Sequence, residues 1–253
     1  FNDAFKRIAQ KTPSQIRKLQ VSDVPIRLQM NYQPPFAWSQ WHDFTEHRLM
    51  QGIESLGNSS YGRTISWPSE SGKFINGWFS AVHRPDKQGF NVTIELEDAK
   101  YLYPVSQRIR QLFDLNANTE IIEQSLLRAG LPKHNVIAGL RVPGCWDKFE
   151  AGVRAILGQQ VSVKAATTLL NTLIENLGTH KKIDGETRYW FPTPKKLARS
   201  KLEFLKIPHS RKETLTGLAK WCDKHPEASV EDWLQLKGIG PWTVEYAQMR
   251  GEG

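Results

Sequence analysis

The chain has 253 residues, 39% of them hydrophobic, which is enough for two or three small domains with cores of their own. Its net charge of +8 favours an anionic partner, and residues 195–224 concentrate the excess, with nine Lys/Arg against three Asp/Glu. Cys145 and Cys222 stand far apart without metal-ligand neighbours, which argues against a disulfide framework or a zinc site; no apolar run is long enough for a membrane span, and no signal peptide is visible. A cytoplasmic compartment is expected. The first residue is Phe1 rather than Met, so a fragment of a longer protein is expected.

Phe1–Ala9 has helical spacing, with Phe1, Phe5 and Ile8 on one face. Thr12-Pro13 restarts a helix, a capping hydroxyl followed by Pro at the first helical position. "IRLQMNYQPPF" alternates as a strand does, up to Pro34-Pro35. "FAWSQWHDFTEHRLMQGI" returns to helical periodicity, with Trp38, Trp41 and Phe44 at three-residue steps. "YGRTISW", "GKFINGWFSAVH" and "FNVTIELED" are expected to be short antiparallel strands, and "PVSQRIRQLFDL" a helix. This is a small α+β domain over 23–118. Its histidines, His42, His47 and His83, are scattered, and no catalytic or metal-binding cluster is expected there.

From Thr119 onward the pattern is helical. "NTEIIEQSLLRAG" has a Thr cap and a Gly stop. Phe149, Val153, Ile156 and Leu157 share a face, and the helix resumes through Val163, Ala166 and Leu170 after a Gly-Gln-Gln interruption. "TPKKLARSKLEFLKI" and "SRKETLTGLAKWCDK" are two further amphipathic helices. "SVEDWLQLKGIGPWTVEYAQMR" reads as helix, glycine hairpin and helix.

In that hairpin, Gly238 and Gly240 permit positive φ and close approach of another backbone, Ile239 plugs the gap between the helices, and Pro241 starts the second helix. The amides left at the helix N-terminus suit a phosphate oxygen and carry no base information. Trp242 and Tyr246 lie four apart, on one helix face. An ordinary tight αα-turn with core aromatics is the alternative.

Several stretches resemble, in order, the alkylbase DNA glycosylases of the 3-methyladenine DNA glycosylase II (AlkA-like) type within the helix-hairpin-helix superfamily. They are "LQMNYQPPFAWS", "LFDLNAN", "LRVPGCWDKFEAGVRAILGQQVSV", "FPTPKKLA" and "LKGIGPWTVEYAQMRG", and they span about Arg27 to Gly253. The start, F-N-x-x-F-K followed by T-P-S-x-x-R, resembles the end of an AraC-type helix-turn-helix, as in a fused adaptive-response (Ada-AlkA) protein. The implied fold class is α+β, a small antiparallel β-sheet domain with helices followed by an all-α helix-hairpin-helix glycosylase domain. The implied division is 1–22 helix-turn-helix remnant, 23–118 α+β domain, and 119–253 glycosylase domain with its C-terminal end missing.

The resemblance implies a base-excision repair enzyme that flips out an alkylated purine and hydrolyses its N-glycosidic bond. Trp242 and Tyr246 would line the base pocket, where aromatic faces attract a cationic base. Lys237, Gly238, Ile239, Gly240 and Thr243 would form the DNA-binding hairpin. Gln159, Gln160, Val161 and Ser162 would form the duplex-entering loop, with Gln160 where one form of the motif has a Leu wedge. The catalytic Asp is expected beyond Gly253; Glu245 and Glu252 do not match its position. No cofactor is required, although a monovalent cation at the hairpin backbone carbonyls occurs in related hairpins. The implied partner is double-stranded DNA with alkylated bases, bound by a bacterial, nucleoid-associated monomer. The alternative is a non-catalytic DNA-damage-binding or regulatory module. A glycosylase/lyase ranks last, because it would want a Lys after the hairpin and residues 241–253 contain none.

Overall fold

The computed structural model describes residues 25–183 and 185–252. The helix-turn-helix resemblance at 1–22 lies outside them. Contacts divide the described residues into two compact units: those up to Glu46 with Glu54–Pro143, and His47–Ile53 with those from Gly144 onward.

The first unit is built on a five-stranded antiparallel sheet. Its strands are β1 (Ile26–Asn31), β2 (Glu54–Gly57), β3 (Ser60–Pro68), β4 (Phe74–Arg84) and β5 (Gly89–Leu96), in the order β1-β5-β4-β3-β2. Period-two alternation sets which face is buried: Ile26, Leu28 and Met30 of β1 pair against β5, which buries Phe90, Val92, Ile94 and Leu96. Helix α1 (Trp38–Glu46) and helix α2 (Leu102–Leu112) belong to this unit, and α2 buries Leu102, Val105, Ile109 and Leu112 at helical spacing. Aromatic packing fills the core. Trp41 stacks on Phe113 at 4.9 Å, Phe113 on Phe90 at 4.6 Å, and Tyr61 meets Trp41 edge-on at 5.2 Å.

Helix α3 (Thr119–Arg128) is capped by Asn118, whose side chain accepts from the Ile121 amide. Thr119, expected as the cap, is instead the first helical residue. The domain boundary of that reading lay at 118/119, whereas by contacts 119–143 groups with the sheet. The nearly buried Arg141 shows why: it donates to the carbonyls of Asp114 (2.6 Å), Ala117 (3.0 Å) and Gln33 (2.5 Å). Along α3, Ile121, Ile122, Leu126 and Leu127 face solvent.

One buried titratable group in this unit gives a pH dependence. His83 is 8% exposed, and its Nε2 lies 2.9 Å from the Tyr32 hydroxyl. Burial pushes its pKa below the ordinary 6.5. The unfolded chain therefore binds the proton more readily, and stability falls as pH drops below about 6.5. Denaturation midpoints between pH 7.5 and 5 should show this loss, and His83→Phe should flatten it.

In the second unit, α4 (Lys148–Leu157) is capped by Asp147, whose carboxylate accepts from the Glu150 amide at 2.7 Å. Phe149, Val153, Ile156 and Leu157 are buried, as their spacing predicts, in one core with Leu173, Ile174, Leu215, Leu218 and Trp233. Helix α5 (Val163–Leu177) is capped by Ser162, and the long helix α7 (His209–Lys224) contributes Leu215 and Leu218. The unit is not all helix. β6 (Thr179–Ile183) and β7 (Glu186–Trp190) form an antiparallel hairpin that corrects the all-α expectation. The long helix expected over "TPKKLARSKLEFLKI" is also shorter: α6 spans only Pro194–Ala198. The residues before the glycine hairpin, Val230–Gln235, form a 3-10 helix rather than an α-helix.

Candidate functional site

The glycine hairpin joins that 3-10 helix to α8 (Pro241–Ala247). Gly238 takes φ +84°, and a Cβ there would lie 2.1 Å from Thr214 Oγ1. Only glycine satisfies both conditions. Gly240 differs from expectation. It is extended (φ −112°, ψ 177°), and a Cβ would meet no atom within 4 Å. Ile239 is the expected plug, 6% exposed and part of the core. Thr243 is buried, and its amide donates to the Gly240 carbonyl at 3.0 Å, closing the first turn of α8. Lys237 is exposed and pairs with Glu213 at 3.3 Å. Two hairpin carbonyls meet protein donors: Thr214 Oγ1 donates to Lys237 O (3.2 Å), and Gln159 Nε2 approaches Gly238 O at 3.4 Å.

The segment between α4 and α5 comes alongside the hairpin. Gln159 Nε2 also lies 3.4 Å from Thr243 Oγ1, so this side chain links loop to hairpin by two long contacts. Gln160 is exposed with φ +55°, a left-handed conformation that a residue with a side chain adopts at some cost. Val161 is 37% exposed. Ser162 faces α5, where its hydroxyl accepts from the Ala165 amide at 3.2 Å.

Between loop and hairpin helix lies a cavity of about 220 Å³, lined by Gly158, Val161, Val163, Trp242, Tyr246 and Arg48 among others. That is smaller than the roughly 300–1,000 Å³ of drug-sized sites, and suits one small planar group. Trp242 is 56% exposed and Tyr246 half-buried, so they are not ordinary core aromatics. Their ring centroids are 5.4 Å apart with planes 31° from parallel. Behind them Arg250, buried, donates to the Tyr246 hydroxyl with its guanidinium 5.4 Å from the ring centre.

The lining also includes Arg48 and Arg154, which no sequence motif marks as site residues. Arg154 pairs with Glu150 at 3.3 Å, both almost fully buried, and donates to the Arg48 carbonyl at 3.1 Å. The i,i+4 Glu150/Arg154 spacing on α4 was a readable signal; nothing local marks Arg48. Burial first, then the charge of Arg250, holds the Arg48 guanidinium below its ordinary pKa; Tyr246 opposes this and Arg154 reinforces it. The cavity is thus lined by two aromatic residues and two arginines. Its lining holds no carboxylate. Elsewhere, His42, Asp43 and Glu46 of α1 bring ligand atoms within 4.8 Å of one another at the protein surface. Among the described residues no helix is long and apolar enough to cross a membrane.

Residues 27–147 match the family of the AlkA N-terminal domain. The chain is 33% identical over 239 residues to DNA-3-methyladenine glycosylase 2 of Escherichia coli (strain K12), covering 88% of this chain and 79% of that protein. A probable bifunctional transcriptional activator/DNA repair enzyme AlkA of Mycobacterium tuberculosis is 31% identical across 100% of this chain, which spans 54% of that protein's length. In structure, the 3-methyladenine DNA-glycosylase from Archaeoglobus fulgidus aligns with TM-score 0.67 at 18% identity, over 88% of this chain and 77% of that one. An 8-oxoguanine glycosylase/lyase of Clostridium acetobutylicum, solved with double-stranded DNA, aligns with TM-score 0.54 at 16% identity, over 79% of this chain and 78% of that one. The sheet unit and the hairpin-bearing helical unit thus share the α+β fold of DNA glycosylases. The chain belongs to the DNA-3-methyladenine glycosylase 2 family, whose role is base-excision repair.

Proposed function

We propose that this protein binds duplex DNA, draws an alkylated purine such as 3-methyladenine out of the stack, and hydrolyses its N-glycosidic bond. The observation that carries this reading is the cavity shared by the hairpin-helix aromatics Trp242 and Tyr246 and by the 158–163 segment. The flipped base stacks on Trp242 and Tyr246, whose electron-rich faces attract a positively charged ring. Arg48 opposes that charge and compensates as a donor to acceptors on the base edge. Gln160 or Val161 fills the gap left in the duplex. The backbone around Gly240 holds a phosphate. An Asp beyond Gly253 supplies the carboxylate that stabilises positive charge on the sugar.

The alternative is a damage-binding module without catalysis. Base release separates the two. The similarity to a bifunctional activator/repair enzyme supports placing this chain in a fusion with an Ada-like regulator. Binding as a monomer completes the proposal.

Gly240→Val tests the DNA grip cleanly, because its extended backbone and open surroundings tolerate a side chain. Affinity for damaged and undamaged duplexes should fall alike, by about tenfold for one lost phosphate contact. For the unaltered chain, log affinity should fall linearly with log salt. A loss restricted to damaged duplexes, or a flat salt response, would remove the phosphate contact from the account.

A further inference from the structure

We infer that Arg250 is the positioning residue of the base pocket, setting Tyr246 in place through its hydroxyl. The inference rests on the pocket reading above and assigns a role to a residue outside the cavity lining. Arg250 stands one helical step after Tyr246, where α8 gives way to the π-helical turn Gln248–Glu252. Its guanidinium donates to the Tyr246 oxygen and lies near the ring. Its backbone is pinned as well. The Arg250 carbonyl accepts from the Cys145 amide at 2.5 Å, and a Cβ on the next residue, Gly251, would come within 2.6 Å of Lys148 Cα. The guanidinium therefore reaches Tyr246 from a backbone tied to Cys145 and packed closely against Lys148.

This arrangement has two consequences. A phenol ring on a short surface helix ordinarily swings about χ1 and χ2; a charge-assisted bond at its far end limits that motion and holds the ring beside Trp242. The hydroxyl also accepts from a cation, which leaves its own proton to donate and polarises that O–H. Tyr246 is thereby a preorganised stacking face with a strengthened donor, and the ordering is done before a base arrives.

The test is a double-mutant cycle on the 253-residue chain, using Arg250→Lys, Tyr246→Phe and both together, with free 3-methyladenine as probe. Each single change should weaken binding by about tenfold, the worth of one charge-assisted bond, and the double variant should be no weaker than either single. Effects that multiply would mean that Arg250 acts elsewhere, and would overturn the inference, as would unchanged binding in Arg250→Lys. The 13Cζ resonance of Tyr246 provides a readout that needs no ligand. It should move in Arg250→Lys while thermal unfolding stays cooperative, and a resonance that stays put overturns the pairing. If the unaltered chain binds no 3-methyladenine although the resonance moves, the pocket reading fails and the role in base recognition falls with it.

Discussion

Gly238→Ala should destabilise the protein by about 2–4 kcal/mol, combining a left-handed backbone penalty with overpacking. The backbone sits at φ +84°, and the new methyl would lie 2.1 Å from Thr214 Oγ1. Thr214 does not simply turn aside, because its one hydroxyl proton is shared between the Ser210 carbonyl (3.0 Å) and the Lys237 carbonyl (3.2 Å). Relief must come from the hairpin, so Ile239 leaves its place in the core and duplex binding is lost with stability. Urea denaturation of Gly238→Ala beside Gly240→Ala measures this directly. The second variant should unfold close to the unaltered chain. Equal midpoints for all three would show that the hairpin yields without strain.

Trp242→Ala should act in the opposite sense, on recognition and not on the fold. The ring is 56% exposed, so little core packing goes with it. Removing one stacking face should cost about 1–3 kcal/mol of base affinity. The expected outcome is loss of most of the preference for an alkylated over an undamaged duplex, with the salt dependence kept. Competition binding with a duplex bearing one 2′-fluoro-stabilised 7-methylguanine measures it. A preference that survives the substitution would take the base away from this cavity.

The contrast between the two glycines shows where sequence reasoning reaches. The hairpin was legible because its residues act locally: a plug, a proline at a helix start, and aromatics four apart on one helix. Which glycine carries positive φ was not, because the answer depends on Thr214, 24 residues earlier in the chain. Strands β1, β3, β4 and β5 declared themselves by alternation. β2 did not, since Glu54–Gly57 (E-S-L-G) lacks both β-branched residues and a clear period. β6 and β7 carry a hairpin cue in the Asp184-Gly185 dipeptide, but Thr179–Ile183 has four exposed positions of five and no apolar alternation to support it.

The shared helix face of Trp242 and Tyr246 was legible from their four-residue spacing, whereas their place at a base pocket is what the family resemblance implies. Arg48 sits in the His47–Ile53 stretch, which reads as the tail of a helix of the sheet domain yet groups with the helical unit. It reaches the cavity because the Arg154 guanidinium, anchored on Glu150, holds its carbonyl. Such a placement is tertiary, and no spacing along the chain encodes it. The same holds for Arg250, whose bond to Tyr246 depends on the π-helical turn that interrupts the regular helix after Ala247.

The most direct test is base release by this protein from N-methylated duplex DNA. Free 3-methyladenine is expected well above spontaneous depurination, with undamaged bases retained and release lost in Trp242→Ala. Tight, salt-sensitive binding with no base released would contradict this expectation and leave a protein that grips damaged DNA without cutting the glycosidic bond.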